Sequence, residues 1–302
     1  MIDAFETPLA ARLFKSLLRS ARPRGYMRLL SWMARLAPSM RSVKVRLDSD
    51  SFLVLDLRKI DHQPIFLDGA VTFEAQERAL LHALIPRGGT AIDVGANQGV
   101  YALTLARIAG EDGLVIAYEP EPQSLIANAA PWSQIVVRPF AVGNSEGRVI
   151  FRKERSTALS HIVPGAERKA RDVERHCVTL DAELHRLRIK QVDFIKIDVE
   201  GGEDRVLMGA AALLGSTDPP VVMFEIVPAF RSRWVMGAIE ALSRVTRRPW
   251  RLFRVGWGKP TGELLDGKEP DGPCNIIAFP PSREAALIRF LAHTMPPALH
   301  RR

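Results

Sequence analysis

The sequence predicts an α/β fold: a mostly parallel, seven-stranded sheet with helices on both faces and an antiparallel strand at one edge. From residue 91 onward, short apolar runs alternate with segments of helical periodicity, which is the pattern of strand–helix–strand units. The last two apolar runs, residues 251–255 and 275–279, have no clear helix between them, which predicts an antiparallel pair. We place this domain at residues 69–302 and a helical and β-hairpin extension at residues 1–68.

The length and composition of the chain fit one large domain with an extension. It has 302 residues, of which 47% are hydrophobic and 25% are charged, as in an ordinary globular protein. The two cysteines, Cys177 and Cys274, are too few and too far apart for a disulfide framework or a zinc site. No signal peptide and no apolar run of membrane-spanning length is evident, so we expect a cytoplasmic protein.

Positive charge is concentrated near the start of the chain. The net charge is +8, and residues 1–41 contain eight Lys or Arg against two Asp or Glu. Such an excess suggests nucleic acid or an anionic membrane as a partner. The sequence disfavours nucleic acid, because it contains no basic strand with interleaved aromatic residues and no known nucleic-acid-binding module.

The first predicted elements are two short amphipathic helices. Apolar residues recur with helical spacing from Leu13 to Leu36, with Arg and Lys between them and a break near residues 23–25. One interpretation is a peripheral membrane contact through residues 9–41. The other, which the sequence favours, is a helical cap that packs on the main domain and keeps its arginines in water.

The remaining elements follow from periodicity and from turn residues. Residues 42–47 and 52–57 predict a β-hairpin, and residues 73–84 predict a helix. The predicted strands of the main domain are residues 91–94, 114–118, 135–140, 192–197 and 221–226, with a pendant strand at 148–151. The predicted helices between them are residues 99–109, 122–130, 204–214 and 232–244.

The turn after residues 91–94 is the most informative segment. Asp93 is followed by Gly95, Asn97 and Gly99 immediately before a helix, in the pattern D-x-G-x-N-x-G. Backbone N–H groups in such a turn approach a nucleotide-like ligand closely. Val100 stands where a dinucleotide fingerprint has its third glycine, so the loop form favours S-adenosylmethionine (SAM) over NAD. Taken alone, the segment also fits an ordinary tight strand–helix turn.

Two further strand ends point to the same ligand. Glu119 ends the second strand, 26 residues beyond Asp93, where its two carboxylate oxygens can accept hydrogen bonds from both ribose hydroxyls. A solvated acid that caps the next helix is the alternative interpretation. Ala141, after the third strand, leaves room for an adenine ring, although a plain turn explains it equally well.

The densest group of charged residues follows the fourth strand. Asp198 and Glu200 point to the same side of an extended chain and precede a Gly-Gly pair. Two carboxylates at the mouth of a sheet are costly unless they meet a ligand, a cation or a basic side chain such as Lys196. Glu225, at the end of the fifth strand, is a candidate for lining the acceptor pocket. His161 lies on a segment that could cover the site, but it has no evident catalytic neighbours, and we expect it at the surface.

Together these residues resemble the FkbM family of SAM-dependent methyltransferases. The matching motifs, in family order over roughly residues 73–225, are Ile92-Asp93-Val94-Gly95-Ala96-Asn97-Gln98-Gly99, Tyr118-Glu119-Pro120-Glu121-Pro122 with Asn128, Ala141-Val142-Gly143-Asn144, Val178-Thr179-Leu180-Asp181 and Val192-Asp193-Phe194-Ile195-Lys196-Ile197-Asp198-Val199-Glu200-Gly201-Gly202-Glu203. The resemblance implies a Rossmann-like class I methyltransferase fold, SAM as cofactor, and O-methylation of a hydroxyl, often on a sugar or natural product. Gly202 and Gln98 depart from the family's usual residues without affecting the cofactor site.

The positions at the strand ends suggest a role for each residue. Asp93 and the glycine loop hold the methionine portion of SAM in this hypothesis, and Glu119 holds the ribose. Asp198 is the first candidate for the base that takes the acceptor's proton, with Glu200 and Glu225 as orienting residues. In a variant, these three carboxylates bind a divalent cation that acidifies the hydroxyl.

The predicted acceptor is a hydroxylated small molecule, a sugar, or a glycan- or lipid-linked molecule. The alternative hypothesis is a catalytically inactive SAM-binding protein or a membrane-surface interaction module.

Overall fold

The computed structural model describes most of the chain, including the N-terminal helices and both sheets. The described residues are 8–20, 23–49, 51–69, 74–152, 161–163, 168–170, 172–227, 237–246, 248–256, 259–264 and 270–294. No described helix combines the length and apolar content that crossing a lipid bilayer requires.

The N-terminal extension has the predicted helices and hairpin, and one further helix. The helices α1 (Leu9–Ser20) and α2 (Tyr26–Leu36) are separated at the predicted break. The strands β1 (Val43–Arg46) and β2 (Phe52–Leu55) pair antiparallel. The unpredicted helix α3 (His62–Asp68) contains a proline in its first turn, where the missing N–H group costs no helical hydrogen bond.

The main domain begins with the elements that carry the glycine loop. In chain order they are α4 (Ala75–Leu84), β3 (Thr90–Val94), α5 (Val100–Ala109), β4 (Leu114–Tyr118), α6 (Gln123–Ala129) and β5 (Ile135–Arg138). These agree closely with the predicted elements, except that β5 ends two residues early. Residues 141–142 belong to a different sheet.

A segment of small strands follows. Its elements are β6 (Ala141–Val142), β7 (Gly147–Arg152), β8 (His161–Val163), β9 (Val173–Val178) and α7 (Leu180–Leu187). The four strands form a second sheet in the order β6-β9-β7-β8, of which only β7 was predicted. The helix α7 was also missed, although Thr179 caps it by accepting a hydrogen bond from the Ala182 N–H at 3.2 Å.

The last elements complete the large sheet. They are β10 (Phe194–Ile197), α8 (Glu203–Met208), α9 (Ala211–Leu214), β11 (Val221–Ile226), α10 (Ala238–Val245), β12 (Arg251–Gly256), β13 (Lys259–Leu264), β14 (Cys274–Phe279) and α11 (Glu284–Thr294). The predicted helix over 204–214 is split in two near Gly209, whose backbone packs against that of Gly143. Part of the predicted helix over 232–244 lies outside the described residues.

The large sheet confirms the predicted fold class. Its order is β13-β12-β14-β11-β10-β3-β4-β5, in which β5, β4, β3, β10 and β11 are parallel and β14 runs antiparallel to both β11 and β12. Seven strands form the expected sheet, and β13 adds an eighth at its edge. The order of strand addition reverses between β3 and β10: β4 and β5 follow on one side of β3, and β10 and β11 lie on the other. Ligands are expected at the carboxyl ends of the strands that flank this switch point.

The sheet has a separate apolar layer on each face. Successive residues of β3 alternate, with Ala91 in the layer that includes α5 and α11, and Ile92 in the layer that includes α7, α8 and α10. Leu30 and Leu53 of the extension belong to the first of these layers. The extension therefore shares a core with the main domain, while the boundary after residue 68 stays a prediction.

Polar contacts also join the extension to the glycine loop. The Asn128 amide oxygen accepts from the Val54 N–H at 2.7 Å, and its NH₂ group donates to the Gln98 carbonyl at 2.8 Å. The Lys59 ammonium donates to the Ser124 hydroxyl at 2.8 Å. The hairpin is thereby fixed against the segment that begins α5.

Candidate functional site

A cleft opens at the carboxyl ends of the central strands. It contains about 630 Å³ of empty space, including its opening to solvent, which is within the range of small-molecule sites. Its walls are formed by Val94, Gly95, Asn97, Tyr118, Glu119, Pro120, Phe140, Ala141, Val142, Phe151, His161, Ile162, Asp198, Val199 and Glu200. Six of the residues predicted for the site are in this set.

Gly95 and Asn97 of the glycine loop line one end of the cleft, whereas Gly99, also predicted for the site, lies outside its walls. Gly95, Asn97 and Gly99 all have left-handed backbones, with φ of 84°, 47° and 97°. The N–H groups of Gly95 and Ala96 both donate to the Tyr118 carbonyl at 3.0 Å, which holds the turn against β4. A β-carbon on Gly95 would overlap the backbone oxygen of Asp198, so only glycine fits at the crossing of the two strand ends.

Asp93 lies within the protein rather than in the cleft wall. Its side chain is fully buried, and neither carboxylate oxygen has a hydrogen-bond partner among the described residues. Burial raises the pKa of Asp93 to about 6, although the positive charge of Lys196 opposes the shift. Asp93 therefore lies beside the loop as a buried carboxyl group, and its protonation depends on the charges of its neighbours, Lys196 among them.

Glu119 stands in the cleft wall with a fixed orientation. One carboxylate oxygen accepts from the Asn97 N–H at 3.0 Å, and the other accepts from the Glu121 N–H at 2.8 Å. Burial raises the pKa of this carboxyl to about 7. Because each oxygen has a second lone pair, the held carboxylate can still accept from a ligand diol.

Three carboxyl groups meet across the ends of β10 and β11. One oxygen each of Asp198, Glu200 and Glu225 lies within 4.8 Å of the others. Glu225 is outside the set that lines the cleft but touches it through this group. Burial and the negative charges of Asp198 and Glu200 hold the pKa of Glu225 well above its usual range, so it carries a proton at neutral pH.

Lys196 supplies the positive charge beside this acidic group. Its ammonium donates to a carboxylate oxygen of Asp198 at 2.8 Å and lies 4.2 Å above the centre of the Tyr101 ring. Burial alone would lower the pKa of Lys196, but the charges of Asp198, Asp93 and Glu74 outweigh it, and the pKa is raised. The lysine therefore stays charged and orients Asp198.

The turn that carries Asp198 and Glu200 is held by a residue that the sequence analysis left without a role. One carboxylate oxygen of Glu203 accepts from the N–H groups of Val199 and Gly201, both at 3.2 Å. Glu200 has a left-handed backbone, with φ of 58°, which is uncommon for a non-glycine residue. The sequence signal that could have indicated this role is the position of Glu203, an acid three residues after Glu200.

The second sheet supplies the opposite wall, and it corrects one expectation. His161 was expected at the surface, but it is 5% exposed and lines the cleft with Phe151 and Ile162. The expectation was wrong because β8 pairs with β7, Phe151 opposite Ile162, and this long-range pairing leaves no local pattern. Phe140, Phe151 and Ile162 form the apolar part of this wall, which suits a flat ring.

Comparison with known proteins gives low similarity to individual proteins. No curated protein sequence matches the chain significantly. A solved putative rRNA-methylase from Clostridium thermocellum is 11% identical, with a TM-score of 0.40, covering 68% of this chain and 94% of that one. A SAM-dependent O-methyltransferase from Thermotoga maritima is 13% identical, with a TM-score of 0.36, covering 79% and 85%. Fibrillarin from Aeropyrum pernix, with natively bound SAM, is 15% identical, with a TM-score of 0.37, covering 68% and 74%.

A family model gives the assignment that these individual likenesses do not. The model described as Methyltransferase FkbM domain matches residues 93–242. The match begins at Asp93, beside the glycine loop, and extends into α10, so it spans Glu119 and all three carboxyl groups of the acidic cluster. The chain therefore contains a methyltransferase FkbM domain and belongs, through it, to the FkbM methyltransferase family.

Proposed function

We propose that the protein is a SAM-dependent O-methyltransferase that transfers a methyl group to a hydroxyl of a small molecule, a sugar, or a glycan- or lipid-linked acceptor. The observation that carries this proposal is the shared cleft. It joins the glycine loop and the fixed Glu119 carboxylate to the acidic pair Asp198 and Glu200. A nucleoside-binding end and a proton-accepting end in one cleft are what such a transfer needs.

The residues at the first end fit SAM. Glu119 has both oxygens fixed by backbone N–H groups, so it can accept hydrogen bonds from the two ribose hydroxyls. The apolar wall that includes Phe140, Phe151 and Ile162 suits the adenine ring, beside the small side chain of Ala141. The turn around Gly95 leaves backbone room for the methionine portion. When bound, SAM supplies an electrophilic methyl group.

The residues at the second end fit proton removal from a hydroxyl. Asp198 is the proposed base, because its carboxylate lines the cleft and Lys196 fixes its orientation at 2.8 Å. Glu225, which carries a proton, can donate a hydrogen bond within the cluster and so orient its neighbours. Much of the remaining rate enhancement would come from positioning the hydroxyl against the methyl group.

A divalent cation in the acidic cluster is a second mechanism for the same reaction. The observation that favours it is the approach of three carboxylate oxygens to within 4.8 Å. A bound cation would hold all three groups ionised and would acidify the acceptor hydroxyl. Activity retained in excess chelator would exclude this mechanism, and activity lost in chelator and restored by Mg²⁺ would support it.

The first experiment is calorimetric titration of the purified protein with SAM. We expect micromolar binding that falls at least tenfold in Glu119→Ala, because the ribose loses its fixed acceptor. Glu240→Gln is the matched control, since Glu240 is exposed on α10 and pairs with Arg244. Absence of SAM binding by the wild-type protein, or equal binding by Glu119→Ala, would contradict the proposed site.

A panel of hydroxylated glycosides, glycans and lipids, with methyl-labelled SAM, then tests transfer. Methylation of a hydroxyl would support the proposal. SAM binding without transfer to any class in the panel would favour the catalytically inactive SAM-binding protein.

A further inference from the structure

The two N-terminal helices expose large apolar side chains. Among the described residues, ten large apolar side chains are exposed, and six of them are in α1 and α2. In α1 they are Leu9, Leu13 and Leu17, and in α2 they are Leu29, Trp32 and Leu36. The spacings of four and four, and of three and four, place each set in one row along its helix. We call these two rows the exposed apolar rows.

The same helices bury a different face against the protein. Ala11 and Leu18 of α1 and Leu30 and Ala34 of α2 are at most 3% exposed and belong to the core. Packing on the main domain therefore explains the buried faces and leaves the exposed apolar rows unexplained. Leucines exposed at 47–68% and a tryptophan exposed at 57% are costly in water unless another surface covers them.

The segment that carries these rows has charge of one sign in its sequence. Residues 8–47 contain ten Lys or Arg and no Asp or Glu. In α2, Arg28 and Arg35 are exposed, and their spacing of seven places both along the same side of the row formed by Leu29, Trp32 and Leu36. Leucine and tryptophan beside arginine are typical of helices that lie in the interface of an anionic membrane.

We propose that α1 and α2 dock this protein on the surface of an anionic lipid bilayer through the exposed apolar rows. The leucines and Trp32 enter the headgroup region, and the flanking arginines contact lipid phosphates. A second copy of the chain is the poorer occupant, because pairing the exposed apolar rows of two copies would bring the arginines beside them, including Arg28 and Arg35, close to like charges. This inference concerns location and is independent of SAM binding.

The test is co-sedimentation of the full chain with two kinds of vesicle, pure phosphatidylcholine and phosphatidylcholine with phosphatidylserine. We expect binding to the anionic vesicles that weakens when salt is raised, because the arginine contribution is screened. Protein that stays in the supernatant with anionic vesicles at low salt would overturn the proposal.

A matched pair of double variants tests the apolar contribution. Leu13→Ser with Trp32→Ser should reduce the partition coefficient roughly tenfold or more. Ile126→Ser with Ile288→Ser changes two apolar residues of similar exposure elsewhere, at 53% and 62%, and should leave it unchanged. An equal fall of the partition coefficient in both double variants would contradict the proposal. Circular dichroism and SAM titration of each variant would show that the fold and the cleft are retained.

A second pair tests the charge. Arg28→Gln with Arg35→Gln should weaken binding to anionic vesicles by roughly 10- to 30-fold. Arg148→Gln with Arg244→Gln removes two exposed arginines outside α1 and α2 and should have little effect. Sedimentation equilibrium completes the test. If the wild-type chain is a dimer and Leu13→Ser with Trp32→Ser abolishes that dimer, the exposed apolar rows pair two copies of the chain, and the proposal of membrane docking is overturned.

Discussion

The two ends of the cleft hold their carboxylates in different ways. Glu119 has each oxygen fixed by a backbone N–H group at 2.8–3.0 Å, so its position depends on the fold. At the other end three carboxyl groups crowd within 4.8 Å, with Lys196 bonded to Asp198. The fixed Glu119 carboxylate suits the recognition of one ligand, whereas the protonation of the three crowded carboxyl groups changes when a ligand or cation enters.

The largest effect should come from removing the proposed base. Asp198→Asn should lower kcat by roughly 10²- to 10⁴-fold while SAM affinity changes little, because an amide cannot take the acceptor's proton. Methyl transfer to an acceptor found in the panel, alongside calorimetry, measures both quantities.

Glu225→Gln is the informative comparison with Asp198→Asn. A protonated carboxyl and an amide both donate hydrogen bonds, so kcat at neutral pH should stay within about threefold of the wild-type value. Equal losses in Asp198→Asn and Glu225→Gln would contradict the assignment of a proton to Glu225 and would favour the cation mechanism.

The next effect comes from distorting the point where the two ends meet. Gly95→Ala should abolish measurable SAM binding, since the new β-carbon overlaps the Asp198 backbone oxygen. Gly88→Ala is the matched control, because Gly88 also has a positive φ, 74°, but has open space around it. It should cost only about 1 kcal/mol of unfolding free energy. Similar unfolding curves and SAM affinities for the two variants would show that Gly95 is not in close contact with the Asp198 backbone.

A smaller effect should appear in the pH dependence of SAM binding. The pKa of Glu119 is raised to about 7, so the carboxylate is ionised above that pH and protonated below it. The ionised form is the better acceptor for a diol, so SAM affinity should fall up to roughly tenfold from pH 8 to pH 6. Calorimetry across this range should give a flat profile for Glu119→Gln. A flat wild-type profile would contradict the role of Glu119.

The smallest effect concerns stability on the acidic side of the cleft. Burial raises the pKa of Glu203 from 4.5 to about 7 in the folded protein. Folding therefore favours the protonated form, and this contribution is complete below pH 4.5 and lost as the pH rises through 7. The unfolding free energy should fall by about 3 kcal/mol over this window. Glu203→Gln, which keeps the accepting oxygen, should remove that part of the dependence in denaturant titrations.

The sequence by itself determined the α/β class, the order of the main strands and the residues that follow them. These depend on local patterns: alternating apolar runs, the spacing of Gly95, Asn97 and Gly99, and acids at strand ends. Because parallel strands bring their carboxyl ends to one edge, strand-end residues could be assigned to one site without knowing any distance. The break between α1 and α2 was equally local.

Only the tertiary structure decided how those residues share the cleft. His161 and Phe151 reach the wall through the pairing of β7 with β8, and Asp93 lies beside the loop instead of in the wall. The raised pKa of Glu225 depends on its burial and on the charges of Asp198 and Glu200 at the neighbouring strand end, so no single segment of the sequence predicts it. The exposure of the apolar rows of α1 and α2 was likewise decided by the fold, since periodicity shows that a face is apolar but not whether the fold covers it.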